Sequence, residues 1–231
     1  MNPLLAAVAP LLFASSGPVE AGAVDQAEAL VVQDREAEAF ALIAREAAGG
    51  DPRAITELAW FYEVGVAVTP DPKQAAKLYR KAARLGDAEA QWRLGMLLDG
   101  EESGRPQSAQ AANLFRAAAG RGEARAYTSL GILYSLGRGV RQDHAEALKN
   151  YQAGARLGDR HAFNEIGVVH LAGEGVPADR VEATAWFFVA MLRGDPSGAE
   201  NLGEMFTTLD EADVTRASNR ASQIEGEYPA G

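Results

Sequence analysis

The sequence predicts an all-α protein built from antiparallel helix pairs that repeat every 36 residues. Three observations predict it. Steps of 36 from Leu130-Gly131 land on Leu58-Ala59, Leu94-Gly95, Ile166-Gly167 and Leu202-Gly203 with no slip. The same step links Ala54, Ala90, Ala126 and Ala162, then Ala75, Ala111, Ala147 and Ala183, then Tyr79, Phe115, Tyr151 and Phe187. A glycine and an acidic residue mark every junction, at Gly50-Asp51, Gly86-Asp87, Gly122-Glu123, Gly158-Asp159 and Gly194-Asp195.

Each unit reads as two helices. Asp51-Pro52 and Asp71-Pro72 are N-cap and first-turn signals, since Asp accepts from unsatisfied amides and Pro has none to leave unpaired. In the first helix Ala54, Leu58, Phe61, Tyr62 and Gly65 form an apolar stripe at three- and four-residue spacing, and in the second Ala75, Leu78, Tyr79, Ala82 and Ala83 do so. The column of Gly95, Gly131, Gly167 and Gly203 falls mid-helix, where glycine costs about 1 kcal/mol relative to alanine. We expect it to permit close approach of two helix backbones, small residue against small residue. Between the helices, Gly137 ends the first, Gly139 permits a positive φ, and Val140 anchors the loop before Asp143 caps the second. Gly173 to Val176 repeats this device, and Gly65 to Val68 keeps it with Ala67 in the second glycine slot. Gly100 to Arg105 keeps the length but not the pattern, which predicts a looser connector.

These positions resemble the Sel-one-like repeat, a relative of the tetratricopeptide repeat, over roughly Gly50 to Phe206. The resemblance implies a right-handed α-solenoid of stacked helix pairs, acting as a scaffold or adaptor that binds other proteins. Departures are Asn150 where an aromatic or apolar residue is usual, His170 where sister units hold Tyr62 and Tyr134, and the irregular second loop. Residues 24–49 are expected to cap the first repeat as one long helix, Asp25 to Ala48, that lays Phe40, Leu42 and Ile43 over it. Residues 207–231 hold a closing helix, Asp210 to Glu225, and a tail.

Leu4 to Ala14 is an apolar run too short to span a bilayer, followed by Ser15-Ser16-Gly17-Pro18 and the small tripeptide Ala21-Gly22-Ala23. This is the layout of a secretory signal peptide over residues 1–23, although no Lys or Arg precedes the run. It predicts a periplasmic or secreted protein with no membrane insertion after cleavage; the other reading is an apolar tail on a cytoplasmic protein.

Composition bounds the partners. The chain carries 22 basic and 32 acidic residues, a net charge of -10, so nucleic acid is not an expected partner. It has no cysteine, which removes disulfides, thiolate metal sites and cysteine nucleophiles together. Of the three histidines, only His161 shares a helix face with an acidic residue, Glu165, and two ligands do not make a metal site. The turn Gly137-Arg138-Gly139 follows a helix rather than a strand and has no phosphate-loop Lys. No catalytic residue, cofactor or metal is predicted.

The expected function is therefore binding of a protein or peptide ligand along a concave groove lined by the first helices, in the bacterial envelope. The groove columns beside the buried stripe are Thr56, Trp92, Thr128 and Asn164; Trp60, Met96, Ile132 and Val168; and one that includes Arg93. Trp92 stands in an otherwise polar column and is the expected anchor, together with Trp60 and Met96. The partner-binding set is Thr56, Trp60, Trp92, Arg93, Met96, Thr128, Ile132 and Asn164. A glycan- or cell-wall-associated regulator, with Trp60 and Trp92 stacked on sugar rings, is the alternative; a hydrolase hidden in the scaffold is a weaker third.

Overall fold

A computed structural model describes residues 22–100 and 107–228. Within them lie twelve helices and no strand: α1 Ala23–Val32, α2 Glu36–Gly49, α3 Pro52–Val64, α4 Pro72–Arg84, α5 Ala88–Asp99, α6 Ser108–Ala119, α7 Ala124–Leu136, α8 His144–Arg156, α9 Arg160–Ala172, α10 Arg180–Leu192, α11 Pro196–Phe206 and α12 Glu211–Glu227. The fold is an α-solenoid of helix pairs with the 36-residue period. The chain divides after Leu94 into two compact units, the first turns of α5 belonging to one and its last turns to the other. The leader-like run lies outside the described residues, as does the irregular loop from residue 101 to 106.

In the first unit, the N-terminal segment departs from the expected single long helix. It breaks at Gln33 to Arg35, where Asp34 takes φ +58° and the Arg35 N–H closes on the Leu30 carbonyl at 2.9 Å. Aspartate tolerates the left-handed region better than most residues, so the chain can reverse there. The reversal packs α1 on α2 and buries Val24 and Ala27. Helix α2 keeps the register of a second helix: Ala39, Ile43 and Ala47, one step before Ala75, Tyr79 and Ala83, are all buried. Phe40 is half-buried and meets Phe61 and Tyr62 edge-on, each 5.9 Å away. Helix α3 opens on the Asp51 carboxylate, which accepts from Ala54 N, and α4 on that of Asp71, which accepts from Lys73 N and Gln74 N.

In the second unit the pairs α7/α8 and α9/α10 show what the glycine column does. A Cβ on Gly131 would overlap the ring of Tyr151, one on Gly95 that of Phe115, and one on Gly167 that of Phe187. The partner is the aromatic column of the second helix, not the small residue of a facing helix expected from the sequence. These rings lie among the most buried side chains, and burial pushes the Tyr151 hydroxyl pKa up. In the first unit Ala59 occupies the glycine position opposite Tyr79, and both are fully buried. Gly203 faces open space, because the fifth unit brings no ring to it. Backbone against small side chain does occur at Gly198, in the alanine column: a Cβ there would stand 2.5 Å from that of Ala190.

The loop glycines have two separate tasks. Gly137 and Gly173 end α7 and α9 in the left-handed conformation. Gly139 (φ +68°) also presses on Ser108 and Ala109 at the start of α6, and Gly175 (φ +80°) on His144 and Ala145 at the start of α8, leaving no room for a side chain. Ala67, the sister residue of the first repeat, adopts φ +59° with its Cβ exposed.

The C-terminal helix closes the second unit. Ala217, Ala221 and Ile224 of α12 are buried against a core that includes Ile166, Trp186 and Val189. Tyr228, beyond the expected helix end, sets its ring edge-on against Phe163 at 5.8 Å and Trp186 at 5.4 Å. Arg193 donates to its carbonyl.

If the glycine column makes room for the rings, Gly131→Ala should destabilise the protein by about 1–3 kcal/mol in urea unfolding, and Gly131→Leu by more. Combined with Tyr151→Leu, the Gly131→Ala change should cost less than the sum of the two single losses. A neutral Gly131→Ala would show that the ring moves aside freely.

Candidate functional site

The junction acids position the first helices, and two of them also tie a repeat to the one before it. Asp87 Oδ1 accepts from Ala90 N at 2.7 Å, capping α5, and also from Thr56 Oγ1 at 2.8 Å, a hydroxyl of the preceding repeat. In the second unit Thr128 Oγ1 donates to Asp159 Oδ2, while Asp159 Oδ1 accepts from His161 N at 3.3 Å. The fourth seam is altered: Asn164 Oδ1 accepts from Asn201 Nδ2 at 2.8 Å. Asp195 Oδ2 is left buried with no hydrogen-bond partner among the described residues, and His161 Nδ1 stands 3.4 Å from its other oxygen.

Thr56, Thr128 and Asn164 are accordingly buried, at 4, 4 and 6% exposure. Their expected place on a solvated groove wall is corrected: a short polar side chain in this column pairs with a carboxylate or amide group of a neighbouring repeat. Trp92 holds the same column and is half-buried. The Arg93 guanidinium lies over its ring at 5.5 Å from the centroid and over that of Tyr79 at 5.9 Å. Arg93 also pairs with Glu63 at 3.2 Å and Glu89 at 3.1 Å, which fixes it as a packing residue as much as a surface one. At the junction that follows Trp92 the acid is Glu123, which caps α7 and is held by Arg125 at 2.7 Å.

The neighbouring column is the one left open to solvent. Met96 is 49% exposed and Val168 39%, while Trp60 and Ile132 are half-buried. Trp60 stands edge-on to Phe61 at 5.4 Å, and Met96 Sδ accepts from Ser129 Oγ at 3.8 Å. Carboxylates flank this column. Burial pushes the Glu57 pKa up to about 7, with Glu89 of α5 and Glu28 of α1 adding like charge against Arg93 and Arg53. Burial also raises Glu165, opposed by the hydrogen bond from Asn164 and by His161.

Among the described residues no three His, Cys, Asp or Glu side chains are grouped so as to hold a metal ion. His161 turns toward Asp195, and half-buried His170 has its pKa lowered by desolvation. No helix of the described residues is long and apolar enough to cross a membrane.

Thr128→Val should cost about 1–3 kcal/mol in urea unfolding, because it strips a hydrogen bond from buried Asp159 and offers nothing in its place. Glu57 gives a pH test. Its raised folded pKa means that the carboxyl carries no electrostatic penalty below about 4.5, and that the penalty grows as pH rises through about 7. Glu57→Gln should therefore stabilise the protein at pH 8 by on the order of 1–3 kcal/mol and change little at pH 4.5. Equal effects at both pH values would refute the burial of that charge.

Comparison with known proteins places the chain. No curated protein matches it. A solved Sel1 repeat protein from Oxalobacter formigenes is 25% identical, with a TM-score of 0.70 and coverage of 89% of each chain. A protective antigen of uropathogenic Escherichia coli with an SLR fold is 25% identical at TM-score 0.56, covering 90% of this chain and 53% of that one. An immunity protein from Pseudomonas aeruginosa shares the fold at 20% identity and TM-score 0.60, covering 95 and 87% of the two chains. The Sel1 repeat model matches residues 52–87, 88–123, 124–159 and 162–195, well over half the sequence, and the chain belongs to the Sel1 repeat family.

Proposed function

We propose that this protein is a non-catalytic interaction module of the bacterial envelope, binding a peptide or protein domain along the exposed face of its first helices. Sel1 repeats are generally non-catalytic scaffolds whose partners are proteins. The observation that carries the reading is the column of Trp60, Met96, Ile132 and Val168. A large apolar residue recurs there in each of the four full repeats, yet none of the four is fully buried. The columns beside it are consumed by internal packing and by the seam bonds of Thr56 and Thr128. Recurrent apolar surface that the repeat buries only in part is what a protein ligand recognises. Met96, Ile132 and Val168 hold this column in the second unit, and half-buried Trp60 holds the same position in the first.

Export is supported by the apolar run from Leu4 to Ala14 and the small residues Ala21-Gly22-Ala23. Cleavage after Ala23 would leave Val24, the first buried side chain among the described residues, at the start of the mature chain.

Two measurements test this reading. Met96→Ser, Ile132→Ser and Val168→Ser together should reduce capture of envelope proteins at least tenfold while leaving the helical circular-dichroism signal unchanged. Undiminished capture by the folded variant would place the binding surface elsewhere. Intact mass of the protein from its native host should correspond to a chain starting at or near Val24; a soluble cytosolic species retaining residues 1–23 would remove the envelope from the proposal.

A further inference from the structure

Helix α4 is unlike its sister helices. Lys73, Lys77, Arg80, Lys81 and Arg84 are all exposed, the helix holds no acidic residue, and none of the five pairs with an acid among the described residues. Carboxylates of this unit pair with other cations: Glu63 and Glu89 with Arg93, and Asp25 with Arg53. The repeat does not require these cations. The same columns hold Ala109, Asn113, Arg116, Ala117 and Gly120 in the next repeat, Ala145, Lys149, Gln152, Ala153 and Arg156 in the third, and Val181, Ala185, Phe188, Val189 and Leu192 in the fourth, so no sister helix keeps more than two of the five.

Intrinsic helix energetics explain only part of the pattern. Lys81 and Arg84 fall in the last turn, where cations suit the helix dipole. Lys73 and Lys77 fall in the first half, where they do not. Lys73 and Lys77, Lys77 and Lys81, and Arg80 and Arg84 are like-charge neighbours four residues apart, an arrangement that weakens a helix. Charges that the fold does not use, and that its helix disfavours, point to an external counterpart.

The chemistry of the surface narrows that counterpart. Lys77, Leu78, Arg80, Lys81, Arg84 and Leu85 line an open concavity, in which Leu78 is half-buried and Leu85 is 53% exposed. The two leucines are seven residues apart on one helical stripe, with cations on both sides. Nucleic acid offers charge but nothing for the leucines, and a flat bilayer offers no protruding side chain for the concavity. The surroundings also limit the footprint. Residues 22–94 hold twelve acidic and nine basic residues, so outside α4 there are four basic against twelve acidic. An extended polyanion would be repelled by that surface, whereas a segment no longer than the helix, about 20 Å, would not be.

We propose that the exposed face of α4 is a docking surface for a short acidic, amphipathic segment of a partner protein, which seats an apolar side chain on Leu78 and Leu85 and sets carboxylates against Lys77, Arg80, Lys81 and Arg84. This surface is separate from the first-helix face and goes beyond the reading given above.

The probe is a fluorescein-labelled 14-residue helical peptide rich in Glu with two Leu seven residues apart, titrated with the full chain and followed by anisotropy. Saturable binding is expected at 50 mM salt, weakened at least tenfold at 500 mM. Lys77→Gln with Lys81→Gln, and separately Leu85→Ser, should each weaken it at least fivefold, with melting temperature unchanged or raised for the charge variant. Lys149→Gln, the same column two repeats on, should leave it unchanged. Equal binding of a peptide with both Leu replaced by Ser would overturn the proposal. So would binding of phosphatidylglycerol vesicles or duplex DNA, but not of the peptide, or no peptide binding at low salt.

Discussion

In three of the repeats the aromatic ring of the second helix occupies the space a Cβ would take on the first, and the rest of the repeat is arranged around that occupancy. Phe115, Tyr151 and Phe187 are large, rigid and almost completely buried, so each fixes how closely its two helices approach and which face of each points inward. The glycine opposite costs helix propensity, and the buried ring offsets that cost with an apolar area several times that of an alanine methyl. Once the pair is locked, the alanine columns can lie only between helices, and the terminators Gly137 and Gly173 can lie only where the chain turns.

A second interaction carries order from one repeat to the next. Each junction aspartate caps its own helix and, at the first and third seams, also accepts a threonine hydroxyl from the preceding repeat. A carboxylate shared in this way couples a local requirement, capping, to a long-range one, stacking. Where the preceding residue is Trp92 the junction residue is Glu123, and where it is Asn164 the hydrogen bond goes to Asn201 and Asp195 keeps an unsatisfied oxygen. The seams thus differ in quality along the chain although the backbone period does not change.

Those two interactions explain what could be read from the sequence and what could not. Period, helix pairs, caps and terminators were legible because each depends on residue type at fixed spacing, as at Asp71-Pro72 or Gly137. The reason for the glycine column was not, because Tyr151 lies twenty residues from Gly131 and only the packed pair shows which small or large side chain faces it. The break at Asp34 was hidden since Asp and Arg sit comfortably on a helix surface until a tertiary contact favours reversal. Thr56 and Thr128 read as solvent-facing because a hydroxyl carries no sign of its partner. A signal did exist: the one repeat in which this column holds Trp92 is also the one followed by Glu rather than Asp. The column of Trp60, Met96, Ile132 and Val168 was legible as apolar, but Trp92 drew the attention, and which column stays partly open became visible only after the neighbouring columns had been assigned to the seams.

Exposure gains its meaning by this subtraction. In a repeat protein every unit inherits the residues that pack it, so a side chain that is buried alike in all units says little about what one protein does. Residues that break the period and serve neither ring, cap nor seam are the informative ones. The cations of α4 meet that test more completely than Trp92, whose ring is bound up with Arg93 and through it with Tyr79, Glu63 and Glu89. An aromatic residue drawn into such a cluster contributes to the frame whatever else it does. Five exposed cations on one helix contribute little to the frame, and their presence in a chain of net charge -10 is best accounted for by what they face outside it.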